Sequence, residues 1–292
     1  MNKKFVIKSE KDMNALEKPF AFGRTAEIYS YDNDKILKLF YPTIPQSWID
    51  KEVDTGQYIQ ATQLPVPKVY EKVKLKGREG IVYKRIAGPS LLEELSRKPW
   101  LTVQYARLLA NLHIQIHNVP AQKGLEPQRE WARGGIPDTK KLSKDLQKKV
   151  LQLLDAMPDG NQLCHGDFHP GNIVVTSRGP VIIDWMTATK GTACGDVART
   201  SILLEVGKPP KGTPMRWFLE RVRKLFLAAY LKAYFQLRPN EKESFSDWRT
   251  IMAANFFVDV CLPEEEEHLI SIIRKGIASG TTAISKNIHL TV

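Results

Sequence analysis

Leu163-Cys164-His165-Gly166-Asp167-Phe168-His169-Pro170-Gly171-Asn172-Ile173-Val174-Val175 is the stretch that decides how this chain is read. An Asp precedes an Asn by five residues on a Gly- and Pro-containing turn, and the turn feeds an apolar, β-branched run. A second apolar run, Val181-Ile182-Ile183, ends in Asp184 and Trp185. The two runs, split by Thr176-Ser177-Arg178-Gly179-Pro180, predict a small hairpin.

Two carboxylates and one amide on strand-flanked loops match what phosphoryl transfer from Mg-ATP requires. One carboxylate, Asp167, accepts or orients the proton of an attacking hydroxyl. Asn172 and Asp184 offer a neutral and a charged oxygen to magnesium. A plain turn would also contain Asp, Asn and Gly, but one turn does not account for both Asp motifs with strands between them. His165, Asp167 and His169 carry the residue types of a zinc site as well. Gly171 and Pro170 place His169 on a turn, however, and Cys164 is a direct neighbour that would not converge on one ion. His165 is read instead as a brace for the loop backbone.

The bulk properties limit the alternatives. The 292 residues are 42% hydrophobic, enough for a sizeable core in one large domain or two modest ones. The net charge of +11 suits anionic ligands. Its densest stretch, Lys140 to Lys149, mixes with Leu142, Asp145 and Leu146 and reads as the wet side of an amphipathic helix, so no nucleic-acid partner is expected. Cys164, Cys194 and Cys261 are odd in number and far apart, which predicts no disulfide framework and a reducing compartment. The N-terminus lacks the apolar core of a signal peptide, and the most apolar run, Leu225 to Tyr234, is too short to span a bilayer. The expectation is a cytoplasmic protein without a membrane partner, a monomer or weak homodimer.

Along the chain, Phe20–Gly23, Glu27–Tyr31 and Lys35–Phe40 predict strands, with a turn at Asp32-Asn33-Asp34. A helix capped by Ser47 runs to about Gln63, where Pro65 and Pro67 end it. Val69–Leu75 and Gly80–Ile86 predict a hairpin around Lys76-Gly77-Arg78. Ala87-Gly88-Pro89-Ser90 marks the boundary between domains 1–87 and 88–292. From Leu91 the pattern is helical, with helices over Thr102–His117, Thr139–Met157, Asp196–Val206, Pro214–Leu237, Glu241–Cys261 and Glu264–Ser279. Residues 120–138 read as a loop. Lys38 alternates with apolar neighbours on its strand, where a cation would reach phosphates. Glu52 shares a helical face with Ile49, Val53 and Gly56 and so points inward, unlike Asp50 and Asp54. An inward acid needs a partner, and Lys38 is the one expected.

The run His165 to Asn172, followed by Ile183-Asp184-Trp185, resembles the signature of the aminoglycoside phosphotransferase and choline kinase-like family. That resemblance implies an α+β, bilobal, protein kinase-like fold, with a small β-rich N-lobe containing one helix, a larger mainly helical C-lobe and an ATP cleft. It implies that Asp167 is catalytic and that Asn172 and Asp184 bind magnesium. Asp196, in Gly195-Asp196-Val197-Ala198, would begin a helix and brace the catalytic loop; a plain helix cap is the other reading. Gly23, Arg24 and Thr25 sit where the family's phosphate-covering loop belongs, though with a single Gly. Adenine would lie against Tyr83, Lys84, Arg85 and Ile86, where many relatives carry acidic or apolar residues. ATP and Mg2+ are the implied cofactors.

A small-molecule hydroxyl acceptor, such as an aminoglycoside, amino alcohol or sugar-like metabolite, is the leading expectation. The chain after Asp184 lacks the Ala-Pro-Glu element that a protein acceptor would call for. A nucleotide-binding scaffold without turnover is the third reading. The acids Glu264 to Glu267 could meet a cationic acceptor or could simply complement a helix dipole. Trp131, Trp217, Phe256 and Phe257 are either pocket or core; Asp247 and Asp259 have no clear role.

Overall fold

The computed structural model describes residues 18–32, 34–136, 141–206, 212–258 and 263–288, and side chains in the last segment as far as residue 279. Asn33, Asp259 and Cys261 lie outside the described residues. The chain divides into two compact units. The first comprises the described residues of Met1–Glu94 together with Gly171–Thr187; the second comprises Leu95–Pro170 together with the described residues of Ala188–Val292.

The first unit is built on five antiparallel strands: β1 (Ala21–Phe22), β2 (Ala26–Asp32), β3 (Lys35–Phe40), β4 (Val69–Leu75) and β5 (Arg78–Lys84), in spatial order β1-β2-β3-β5-β4. Period-two alternation assigns its two faces. Leu37, Leu39, Val73, Leu75 and Val82 pack on one side. Ala26, Phe40 and Ile81 face the other and bury Ile49 and Val53 of helix α1 (Gln46–Ile59). Lys38 lies between Leu37 and Leu39, so the same alternation sends it to the α1 face. Lys76 and Gly77, both at positive φ (46° and 77°), form the β4–β5 turn, the two-residue geometry that matches strand twist. Helix α1 starts differently from the expectation. Its cap is Pro45, without a side-chain hydrogen bond, because a fixed φ near −65° prepares the first turn; Ser47 is already inside. It ends at Ile59, where the Thr62 hydroxyl donates to the Ile59 carbonyl.

The second unit is helical, with α2 (Leu91–Arg97) leading into it. Its helices α3 (Thr102–His117), α4 (Gln128–Gly135), α5 (Lys144–Ala156), α6 (Ala193–Val206), α7 (Arg216–Leu237), α8 (Phe245–Asn255) and α9 (Pro263–Ile288) surround α6, twelve of whose fourteen residues are buried. Helix α4 occupies part of the segment read as loop. Its polar composition hid it, and Gln128 is buried because its side-chain oxygen accepts from the Thr192 amide. Helix α5 starts at a Ser143 cap and α8 starts at Phe245, after a 3-10 turn over Pro239–Lys242. Strands β6 (Gln162–Cys164) and β9 (Thr189–Gly191) pair with each other; between them in sequence, β7 (Ile173–Thr176) and β8 (Gly179–Ile182) form a hairpin that belongs to the first unit.

That hairpin packs with the first unit. Ser90 bridges to Val174, and the Val175 amide donates to the Pro89 carbonyl. The approach is close enough that a Cβ on Gly88, which sits at φ 151°, would lie 2.1 Å from the Val175 carbonyl oxygen. Gly88→Ala should therefore lower the urea midpoint by the equivalent of about 1–3 kcal/mol at unchanged m. An unaltered midpoint would show that the linker does not lie on β7.

Candidate active site

In the first unit, Lys38 is the meeting point. Its Nζ lies 2.8 Å from Glu52 Oε1 and 3.1 Å from Oε2, and 2.8 Å from Asp184 Oδ1. Lys38 and Glu52 are buried, whereas the Asp184 side chain is 42% exposed. Burial works against the Lys38 charge, but Glu52 and then Asp184 outweigh it and lift the ammonium above its ordinary value. It therefore remains cationic across the physiological range. Glu52 shifts up through burial, with Lys38 opposing.

The hairpin register sets the other residues. Asn172 directly precedes β7, Asp184 follows β8 with Ile183 in between, and Ile183 N donates to Asn172 O at 3.0 Å. The register thus puts both at the same end of the hairpin. Asp184 has φ 64°, a left-handed conformation that Asp tolerates better than most residues and that clusters at functional sites.

Tyr83 does something its sequence position did not reveal. Its hydroxyl donates to Glu52 Oε1 at 2.7 Å. Burial, with the Glu52 charge second, raises the phenol well above its ordinary value, so it stays a donor. The amides of Lys84 and Arg85 are committed to the carbonyls of Lys68 and Asp34. Gly23, Arg24 and Thr25 form the exposed β1–β2 turn, closed by Gly23 N to Ala26 O at 2.8 Å.

In the second unit, the loop bearing Asp167 hangs on Asp196, which lies in the first turn of α6 rather than at its cap. The cap is Thr192, whose hydroxyl accepts from Gly195 N. Asp196 collects four N–H donors: His165 N at 2.6 Å, Gly166 N at 2.9 Å, and the Nε2 atoms of His113 and His117 at 3.0 and 3.3 Å. Behind these, the hydroxyls of Tyr230 and Tyr234 meet the two Nδ1 atoms at 2.6 and 2.7 Å. A carboxylate only accepts, so both Nε2 atoms donate to Asp196, and each Nδ1 shares a hydrogen bond with a tyrosine hydroxyl. All five side chains are buried. Among the described residues His113, His117 and Asp196 form a cluster with metal-binding potential, but direct hydrogen bonds already use each of these atoms. The alternative zinc set does not assemble there: His165 Nδ1 accepts from Asp167 N, and His169 Nε2 lies 3.7 Å from Asp167 Oδ2. Neither Cys164 nor Cys194 is a poised thiolate, since burial raises both, Cys194 to about 12.

Burial opposes the Asp196 charge, yet His113 and His117 hold it well below the usual carboxylate range. Asp167 is likewise held at about 2, because His169, His165 and Arg199 overcome its burial. Asp167 is thus an ionised acceptor at neutral pH. Arg199 also reaches the Gly166 carbonyl at 3.4 Å, and its guanidinium lies over Trp131 and Phe256.

Residues 19–243 match the phosphotransferase enzyme family, APH, across well over half of the sequence. The chain belongs to that family. The family is one of phosphotransferases, and solved structures show the protein kinase-like fold of this chain. An amicoumacin kinase in complex with AMP-PNP, Ca2+ and Ami is 14% identical, with a TM-score of 0.61 over 94% of this chain and 90% of that one. A choline kinase from Cryptosporidium parvum is 16% identical, with a TM-score of 0.54 over 94% and 92%. An aminoglycoside-3'-phosphotransferase of type VIII is 17% identical, with a TM-score of 0.55 over 84% and 98%. No curated protein matches the sequence significantly.

Two outcomes follow from this geometry. Tyr83→Phe removes a hydrogen bond to a buried carboxylate and should cost about 1.5–3 kcal/mol in urea unfolding; unchanged stability would contradict the Tyr83–Glu52 contact. The second concerns acid. Burial and His117 push His113 down to about 3 from 6.5, against the pull of Asp196. Between those values the unfolded chain binds the proton more readily, so stability falls as pH drops, by up to about 1.4 kcal/mol per pH unit. His113→Gln should flatten that slope by one proton when urea midpoints are compared at neutral and mildly acidic pH; an unchanged slope would show that His113 titrates normally.

Proposed function

We propose that this phosphotransferase moves the γ-phosphoryl group of ATP, bound with magnesium, to a hydroxyl of a small organic acceptor. The observation that carries the proposal is the buried Lys38 held by Glu52 and Asp184 at 2.8 Å each. A fixed, buried cation beside a carboxylate that is 42% exposed suits a phosphate and a metal ion.

In this reading Lys38 holds the α- and β-phosphates, Glu52 aims Lys38, and Tyr83 fixes Glu52. Asn172 and Asp184 hold the magnesium; their donors are oxygens, the type this ion selects. When bound, the ion neutralises charge on the β- and γ-phosphates. The turn Gly23-Arg24-Thr25 covers the phosphates, and the adenine rests on the segment Tyr83 to Ile86, with Ile86 supplying the main-chain contact and Arg85 lining the edge. Asp167 accepts the hydrogen bond of the acceptor hydroxyl and aims its oxygen at phosphorus. Its low proton affinity favours orientation of the hydroxyl over early removal of the proton. His165 and Asp196 position Asp167 through the loop backbone.

The acids at the start of α9 do not favour a cationic acceptor. Glu266 pairs with Lys141, and Glu264 lies 3.8 Å from Arg216 Nη2. The lobe boundary at residue 87, a monomeric or weakly dimeric state and a cytoplasmic location belong to the same proposal. Among the described residues no helix is long and apolar enough to cross a membrane.

Asp167→Asn should lower ADP release in a coupled assay across a panel of hydroxyl acceptors by about 100- to 10,000-fold, with ATP affinity retained in calorimetry. Full turnover in that variant would remove Asp167 from the chemistry. Asp184→Ala should abolish the magnesium dependence of ATP binding, and metal-dependent binding in that variant would displace Asp184 as a ligand.

A further inference from the structure

The peptide plane that joins Gly166 to Asp167 is held at both ends. Its amide, Asp167 N, donates to His165 Nδ1 at 3.3 Å, and its carbonyl, Gly166 O, accepts from Arg199 Nε at 3.4 Å. A peptide unit is rigid, so two fixed ends set the direction in which the chain enters the Asp167 Cα. Gly166 sits at φ 78°, a region open to glycine without strain, and its own amide goes to Asp196. Asp196 therefore fixes the loop as far as Gly166. The next plane, the one that leads into Asp167, falls to Arg199 and His165.

Arg199 is 5% exposed and lies on the buried helix α6. Its guanidinium is 5.3 Å from the Trp131 ring of α4 and 4.7 Å from the ring of Phe256, which follows α8. Nη1 lies 3.5 Å from Asn255 Oδ1, and Asn255 Nδ2 donates to the carbonyls of Trp131 and Ala132 at 3.5 and 3.4 Å. Helices α4, α6 and α8 thus share one clamp. Burying a cation is costly, and contact with two ring faces offsets part of that cost. An apolar side chain would fill a slot between two rings without the cost at all. What the guanidinium adds is a directed donor and a charge. The donor meets Gly166 O. Against burial, and together with His169 and His165, the charge favours the ionised form of Asp167. Trp131 and Phe256, pocket or core by sequence, thereby serve the protein's own cation.

We propose that Arg199 is a positioning residue for phosphoryl transfer. Clamped by Trp131, Phe256 and Asn255, it orients the Gly166–Asp167 peptide and so aims the Asp167 carboxylate at the acceptor hydroxyl. This role presupposes the phosphotransferase reading.

Two substitutions separate positioning from packing. Arg199→Met fills the same slot and packs well on aromatic rings, but has neither strong donor nor charge. Arg199→Lys keeps both in a slimmer side chain. In a coupled assay with ATP, magnesium and kanamycin, choline or homoserine as acceptor, Arg199→Met should lower kcat about 100-fold with KM for ATP unchanged, and Arg199→Lys should recover tenfold or more of that loss. Packing alone predicts the reverse order, with Met at least as active as Lys. Amide exchange gives a readout that needs no turnover. In Arg199→Met the Asp167 amide should exchange at least tenfold faster, while the Gly166 amide stays slow on Asp196. Absence of ADP release from the wild-type chain with every acceptor would count against the phosphotransferase reading, and the exchange pattern would still decide where Arg199 acts. Should neither variant reach the wild-type circular dichroism, Phe256→Leu loosens the clamp with the guanidinium present; the Asp167 amide should then exchange faster as well, and an unchanged rate would overturn the role. The role is also overturned if folded Arg199→Met keeps the wild-type kcat, if it equals or exceeds Arg199→Lys, or if its Asp167 amide exchanges at the wild-type rate.

Discussion

One buried carboxylate organises the catalytic half of this protein. Asp196 accepts from two backbone amides of the loop that carries Asp167 and from two imidazoles of α3. Four donors on one carboxylate offset the cost of burying its charge. They also tie three helices to one point, because His113 and His117 lie four residues apart on α3 and Tyr230 and Tyr234 lie four apart on α7. That spacing keeps each pair on one helix face, so α3 and α7 pack with matched pairs of polar groups inside an apolar core. The loop is fixed in its middle, at His165 and Gly166, which leaves the next residue, Asp167, partly exposed and directed by its neighbours.

The first unit solves a related problem with opposite charge. A single cation on β3 faces α1 because strand alternation leaves it no other side, and a helix acid and a hairpin acid converge on it. The asymmetry matters for chemistry. Glu52 is buried and braced by Tyr83, so it can only position Lys38. Asp184 is partly exposed and held in a left-handed backbone, so it has capacity for a further partner.

How much of this the sequence disclosed depended on the range of the interaction. The hairpin, with Asn172 and Asp184 at one end, follows from local alternation and turn chemistry. The inward face of Glu52 follows from helical periodicity. The brace around Asp196 is long-range: its histidines precede it by about eighty residues and its tyrosines follow by more than thirty, and only the repeated four-residue spacing hinted at it. The Tyr83–Glu52 bond was not legible, because the place of Tyr83 near the end of β5 could be read from the sequence while the direction of its side chain could not. Helix α4 was missed because a short polar helix held by tertiary contacts such as Gln128 has little local signal, and the start of α1 was misjudged because Pro45 and Ser47 are both plausible openers.

The central claim is that Asp196, rather than the turn chemistry of the loop itself, holds the segment presenting Asp167. Amide hydrogen exchange at His165 and Gly166 measures this directly. The account predicts that both amides exchange only with global unfolding, among the slowest in the protein, and that Asp196→Ala makes them exchange rapidly while amides of β3 stay protected. Fast exchange of these two amides in the wild-type chain, at the rate of the exposed β1–β2 turn, would contradict it.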